Sequence, residues 1–202
     1  MPTDNRATTH SETPDAFPAD YLDTLAKGVR ACPYFTVNNL NRDFVGTRGF
    51  SVAFTPIGLP RVVAEFPFFE PFLRKALRAD CNAFYLNPLQ LEAGSRVDPH
   101  VDRSLRAYCV DIATPVQVSV LYVDVPAAMR GGELVLQRGK RTLARVRPAP
   151  NLLIAFDGDL THSIARVDGA GKRLSLVCEQ YALDDRELDQ VPDYQLETRA
   201  RY

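Results

Sequence analysis

Apolar positions follow one period near the start of the chain and another after residue 82, and the change divides the molecule. Between residues 20 and 30, Leu22, Leu25, Ala26 and Val29 recur at helical spacing. Acidic residues come early in that segment and basic ones late, the order the helix dipole favours, so a helix is predicted. The run FPFFEPFLRKALRAD, residues 66–80, predicts a second helix beyond Pro71, with Phe72, Leu73, Ala76 and Leu77 facing inward. From Asn82 onward the texture changes to short Val, Leu, Ile, Tyr and Phe runs broken by Gly, Pro, Asp and Asn, which reads as strands. They are expected at about 83–91, 96–102, 106–112, 115–123, 132–136, 141–147, 151–156, 161–167 and 172–181. So many short strands in one domain imply a sandwich or barrel.

The class is therefore mainly β with flanking helices: one domain over 18–182, with helical support over 18–80 and the β core over 82–182. Residues 1–17 are polar, rich in Thr, Asp and Pro and without periodicity, and predict a disordered tail. The charged stretch 183–202 predicts a C-terminal tail, either a short helix or extended chain. No internal repeat is present.

A length of 202 residues, 46% of them hydrophobic, suits a single core. The formal net charge of -1 and a pI near 6.3 lack the basic excess that nucleic acid or anionic lipid selects. The chain has no tryptophan and no basic aromatic platform, which argues against enzymes that stack a flipped base. No apolar run approaches the roughly eighteen residues that span a bilayer, and MPTDNRATTHSETPDAF has no apolar signal core, so a cytoplasmic location is expected. Cys32, Cys81, Cys109 and Cys178 form none of the paired spacings of zinc sites and read as reduced structural residues, Cys109 and Cys178 within strand-like runs.

The first candidate chemistry lies in His100-Val101-Asp102. Positions i and i+2 of a strand face the same way, so an imidazole and a carboxylate converge without a special turn. A third ligand must come from elsewhere. The chain has three histidines, and with His10 in the predicted tail the remaining one is His162, in THSIARV. Two histidines and a carboxylate on one face of an ion leave its other positions open, the arrangement of non-haem Fe(II) oxygenases. Zinc suits the same ligands, and an H-x-D motif by itself is also an ordinary surface histidine beside Pro99.

Arg173 alters that balance. It follows His162 across the turn DGAGK, so strands 161–167 and 172–181 can pair and bring the guanidinium into the same barrel. Its paired donors match a carboxylate, which suits the far end of 2-oxoglutarate while the keto-acid end chelates iron. Ser175, two residues along on the same face, adds a hydroxyl donor. Taken alone, Arg173 reads first as an edge-strand charge that aids solubility.

In these residues the chain resembles the 2-oxoglutarate and Fe(II)-dependent dioxygenases, in the branch of prolyl 4-hydroxylase-like and bacterial hydroxylase domains. The resemblance covers roughly residues 82–182. It rests on HVD at 100–102, VQVSVLYVDVP followed by GGELVLQ at 131–137, FDGDLTHS at 156–163 and GKRLSLVCEQY at 171–181. It implies a double-stranded β-helix, the jelly-roll barrel, with Fe(II) on His100, Asp102 and His162 at its open end. It also implies that Arg173 and Ser175 hold the C5 carboxylate of 2-oxoglutarate, and that Tyr122 matches a position supplying a phenol to it in some members. Many relatives carry a tyrosine where this chain has Leu91; Tyr85 or Asn87, earlier on the same strand, are the candidates to replace that hydroxyl. Gly131 and Gly132 read as a tight turn or bulge, and Glu133 as solvated.

The implied cofactors are Fe(II), 2-oxoglutarate as co-substrate and O2, with ascorbate as a supporting reductant. The implied reaction releases succinate and CO2 while a substrate C–H bond is oxidised. Family halogenases have a small residue in place of the carboxylate ligand, so Asp102 favours hydroxylation, with desaturation or ring closure as the alternatives. About eighty residues ahead of the barrel leave little for a docking platform, which favours a small-molecule substrate such as an amino acid, with Arg96, Arg103 and Arg106 as a candidate positive rim. The alternatives are a protein or peptide (prolyl-type) hydroxylase, and a cupin-like zinc protein without oxygenase activity.

Overall fold

Strands with two buried faces need cover on both sides, and here helices supply one cover and a second sheet the other. The computed structural model describes residues 9–38 and 43–200. In chain order the strands are β1 (His10–Thr13), β2 (Thr36–Asn38), β3 (Phe44–Val45), β4 (Thr47–Gly49), β5 (Ser51–Phe54), β6 (Ala83–Glu92), β7 (Arg96–His100), β8 (Gln117–Asp124), β9 (Arg130–Gly131), β10 (Leu134–Arg138), β11 (Arg141–Val146), β12 (Leu153–Asp157), β13 (Thr161–Ile164), β14 (Val167–Asp168), β15 (Lys172–Tyr181) and β16 (Tyr194–Glu197). The helices are α1 (Ala19–Ala31), α2 (Leu59–Glu65), α3 (Glu70–Ala76) and α4 (Asp185–Leu188).

The major sheet runs β1-β12-β8-β15-β6-β4-β2, with β5 also on β6 and β16 on β5. The minor sheet runs β11-β10-β13-β7-β3, and β9 and β14 form a short ribbon. These ladders are antiparallel, and the two sheets face each other as a jelly roll. Val118, Val120 and Tyr122 of the major sheet pack against Leu134 and Leu136 of the minor one.

The central strand β15 shows how alternation divides the two sides. Leu174, Leu176 and Cys178 point outward, into a cluster with Leu22, Leu25 and Val29 of α1 and Phe72 and Leu73 of α3. Arg173, Ser175, Val177 and Glu179 point into the cavity between the sheets. The same parity holds on β6, with Leu86 outward and Tyr85, Asn87 and Leu89 inward. Helices α1, α2 and α3 thus brace the back of the major sheet and leave the cavity to the strands and to the segment Asp102–Ser104 that follows β7.

Helix α1 buries the four residues that its periodicity selects. Elsewhere the expectations need correction. The second helix forms around Pro71 as expected, α3 burying Phe72 and Leu73, but it ends at Ala76, and a 3-10 turn at Pro67–Phe69 and a further helix, α2, starting at Leu59, precede it. Pro67 and Pro71 each restart the chain, because proline fits a first turn but not a helix interior. The expected purely helical support over 18–80 also contains β2 to β5; SVAF is buried throughout, and such a run carries no alternation to announce a strand. The expected strand 106–112 is instead a 3-10 turn, Ser104–Ala107, followed by turns, and Cys109 with it lies outside any strand. Leu105, Cys109 and Ile112 are the buried positions there, a helical spacing.

Nor is all of 1–17 a disordered tail. His10–Thr13 pairs with β12, and Ala16 and Phe17 are buried; the order comes from backbone bonds to a sheet edge, which polar side chains do not reveal. Residues 1–8 lie outside the described residues. At the other end, α4 carries a capping box of Asp184 and Glu187, and β16 then adds to β5, so this segment joins the sheet rather than trailing from it. The four cysteines are free thiols, three of them buried. Among the described residues no helix is long and apolar enough to cross a membrane.

Phe69 is fully buried and packs on the rings of Phe68, Phe66 and Phe50 behind the major sheet. Phe69→Ala is expected to cost about 3–5 kcal/mol, read as a lower urea midpoint at an unchanged m-value.

Candidate active site

β7 ends at His100, and Asp102 follows two residues later, just past the strand expected to contain both. His162 on β13 stands directly opposite His100 in the ladder. Asp102 bridges the two rings: its Oδ1 is 3.2 Å from His100 Nε2 and its Oδ2 is 3.3 Å from His162 Nε2. One ligand atom from each residue lies within 4.8 Å of the others, a spacing that one metal ion can span.

Each histidine is oriented by a backbone carbonyl. His100 Nδ1 lies 2.8 Å from the Asp98 oxygen and His162 Nδ1 lies 3.2 Å from the Leu160 oxygen. Protons on both Nδ1 atoms leave both Nε2 lone pairs directed at the shared point. Burial alone would raise the Asp102 pKa, but His162 and His100 outweigh it and hold the carboxyl well below its usual range. For His100 burial opposes the charge, and Asp102 outweighs it, raising the imidazole pKa.

Arg173 occupies one end of the same cavity and is 0% exposed. Its Nη1 donates to the Gly132 carbonyl at 2.5 Å, and its Cζ lies 5.1 Å from the Tyr122 ring centroid. Gly132 has φ +72, and a Cβ there would stand 2.9 Å from Nη1, so the glycine pair read as a turn seats the guanidinium. Nε and Nη2 of Arg173 and Oγ of Ser175 are buried without partners. Burial pulls the Arg173 pKa down and pushes that of Tyr122 up. A sealed guanidinium with two idle nitrogens beside an idle hydroxyl is a ready cradle for a carboxylate.

The other expected residues fall elsewhere. Leu91 stands opposite Arg173 in the ladder, whereas Tyr85 stands opposite Glu179, six residues along β15. The Tyr85 hydroxyl donates to Glu197 at 2.7 Å, and Asn87 Nδ2 donates to the Phe50 carbonyl and to Ser51 Oγ. Both line the cavity away from Arg173, because strand register sets position along the barrel as well as facing. Arg96 pairs with Asp98, Arg103 and Arg106 are exposed, and none of the three lines the cavity. His10 is on β1 beside Glu12, apart from the triad.

Glu179 is the cavity residue that sequence reasoning passed over. It is 4% exposed, and it accepts from Ser104 N at 3.1 Å, from Ser104 Oγ at 2.5 Å and from the Tyr181 hydroxyl. Burial, with Asp102 adding to it, raises its carboxyl to about 8. The available signal was parity: Glu179 shares the strand face of Arg173 and Ser175.

No protein-family model matches the chain, and no curated protein matches it in sequence. Solved structures do match its fold. A prolyl-4-hydroxylase from Pseudomonas putida is 20% identical, with a TM-score of 0.59 over 87% of this chain and 94% of that one. An oxidoreductase of the 2OG-Fe(II) oxygenase family from Burkholderia pseudomallei is 15% identical, with a TM-score of 0.57 over 87% of this chain and 86% of that one. A Trichoplax adhaerens prolyl hydroxylase, solved with a peptide fragment of the hypoxia inducible factor oxygen degradation domain, is 11% identical, with a TM-score of 0.59 over 90% of this chain and 86% of that one. The chain thus has the double-stranded β-helix fold of 2-oxoglutarate and Fe(II) oxygenases.

Because the folded state raises the Glu179 pKa from 4.5 to about 8, it favours the protonated carboxyl. The stabilisation linked to that proton is complete below pH 4.5 and is lost as pH rises to about 8. The urea midpoint of the metal-free protein is therefore expected to fall across this window, and Glu179→Gln to flatten the decline.

Proposed function

We propose that this chain is a 2-oxoglutarate-dependent non-haem Fe(II) dioxygenase that hydroxylates an unactivated C–H bond of a small molecule such as an amino acid or its derivative. The observation that carries this reading is the buried Arg173 guanidinium, with Nε and Nη2 unpartnered, in the cavity that the His100–Asp102–His162 triad also lines. A zinc hydrolase on the same triad would leave Nε and Nη2 of that buried guanidinium without hydrogen-bond partners, with the half-buried Glu133 as its acidic neighbour.

The donor set fits the group it would hold. His100 and His162 offer Nε2 and Asp102 a carboxylate, a facial set of two nitrogens and one oxygen suited to Fe(II). Arg173 and Ser175 would take the C5 carboxylate of 2-oxoglutarate, with the Tyr122 ring against the guanidinium. Bound together, Fe(II) and 2-oxoglutarate supply the oxidising chemistry with O2, releasing succinate and CO2, with ascorbate as a supporting reductant. The protein positions both, and the aliphatic walls formed by Val97, Val118, Val120 and Ile164 exclude water from the reacting centre. An intact carboxylate ligand at Asp102 favours hydroxylation as the outcome.

The small-molecule reading is supported by where the helices lie. α1 and α3 are used behind the major sheet and build no platform beside the cavity. The Trichoplax neighbour was solved with a peptide fragment, which keeps a peptide substrate as the alternative of the same chemistry.

Anaerobic addition of Fe(II) and then 2-oxoglutarate is expected to develop the weak visible charge-transfer band of the chelate; iron bound without a band would refute the reading. Arg173→Ala is expected to retain iron and weaken 2-oxoglutarate binding by about 2–5 kcal/mol, at least roughly thirtyfold in Kd.

A further inference from the structure

Of the four β15 side chains that line the cavity, the first two are accounted for by the co-substrate cradle and the third is an aliphatic wall. Glu179 has no such role. Six residues of strand separate it from Arg173, roughly 20 Å of backbone, well beyond the span of a five-carbon dicarboxylate. Co-substrate anchored at Arg173 therefore ends short of Glu179. The metal strand approaches this second end too, since Ser104, two residues after Asp102, gives both its N–H and its hydroxyl to the Glu179 carboxyl.

The surroundings of Glu179 are negative or neutral. Its hydrogen-bond donors, Ser104 and Tyr181, are uncharged. Among the described residues no lysine, arginine or histidine forms an ion pair with it. In the metal-free protein Asp102 adds negative potential, and the ring opposite Glu179, that of Tyr85, gives its hydroxyl to Glu197 and not to Glu179. A carboxyl buried with no ion-pair partner is held protonated, and an incoming ammonium group supplies that partner, the carboxyl releasing its proton to solvent as the ion pair forms.

We propose that Glu179 is the substrate-recognition residue, accepting the protonated amino group of a small-molecule substrate at the cavity end opposite Arg173. This rests on Arg173 being the co-substrate anchor, since that role is what leaves the Glu179 end free for substrate. An ion pair at one end of the substrate, with aliphatic side chains along its carbon skeleton, fixes which carbon lies nearest the triad. The two ends of β15 thus sort the two reactants by charge: the carboxylate to Arg173, the ammonium to Glu179.

The test is anaerobic calorimetry, on metal-free protein and on protein loaded with Fe(II) and 2-oxoglutarate, with alkylamines, L-amino acids and amino-acid amides as probes. Each probe is paired with its N-acetyl derivative. Free amines are expected to bind while their acetylated partners do not. Glu179→Gln, which keeps an acceptor for Ser104, is expected to weaken amine binding about ten- to a hundredfold. Equal binding of the two forms, an unchanged affinity in E179Q, or no binding by any amine overturns the proposal. The charge-transfer band separates recognition from support: E179Q is expected to retain it, and its loss in E179Q alone would make Glu179 a prop for the metal loop and overturn the proposal. A wild-type protein without the band refutes the co-substrate reading, while the metal-free calorimetry still decides the amine question.

Discussion

A guanidinium sealed between two sheets is the constraint on which the rest of this structure turns. Arg173 keeps its positive charge at any ordinary pH, yet one backbone carbonyl is its only hydrogen-bond partner among the described residues. Removing such a group from water costs several kcal/mol unless a counter-charge arrives. The neighbourhood is shaped around that demand. Gly132 adopts a left-handed backbone and lacks a Cβ, which lets its carbonyl meet Nη1; the Tyr122 ring lies against the guanidinium; Ser175 leaves a hydroxyl unspent beside it.

The same strand explains why the site can be polar while the domain remains well packed. β15 is the spine of the major sheet, with β6 on one side and β8 on the other. Its outward residues pack on the helices, so the apolar burial that holds the sheet in place is concentrated behind it. The inward face is thereby freed for Arg173, Ser175 and Glu179. Functional polar groups are placed on a rigid element whose stability is supplied from its other side, which suits groups that must hold position before a ligand arrives.

The His100–Asp102–His162 cluster is built from the opposite sheet by equally local means. His100 and His162 face each other across one rung of the β7–β13 ladder, and each ring is set by a carbonyl two residues upstream in its own chain segment. Asp102 reaches the shared point from just beyond the strand end. Facing sheets therefore bring the His100–Asp102–His162 cluster and the Arg173–Ser175 pair to one cavity; β13 and β15, close in sequence, do not pair as expected but lie in different sheets.

What the sequence by itself determined was what period, parity and residue count can carry. The β class, the helix on Leu22, Leu25, Ala26 and Val29, the convergence of His100 with Asp102, and His162 as the third member of their cluster were legible because each rests on near-neighbour geometry or on elimination among three histidines. The fully buried strand SVAF, the edge strand at His10–Thr13 and the turn that replaced the expected strand at 106–112 were not, because partners distant in sequence decided them. Only the tertiary structure decided which polar side chains share an end of the cavity. Parity placed Arg173 with Ser175 and, carried further along the strand, would have reached Glu179; register, which depends on how separate strands slide against one another, put Tyr85 beside Glu179 and left Arg173 at the other end with Tyr122.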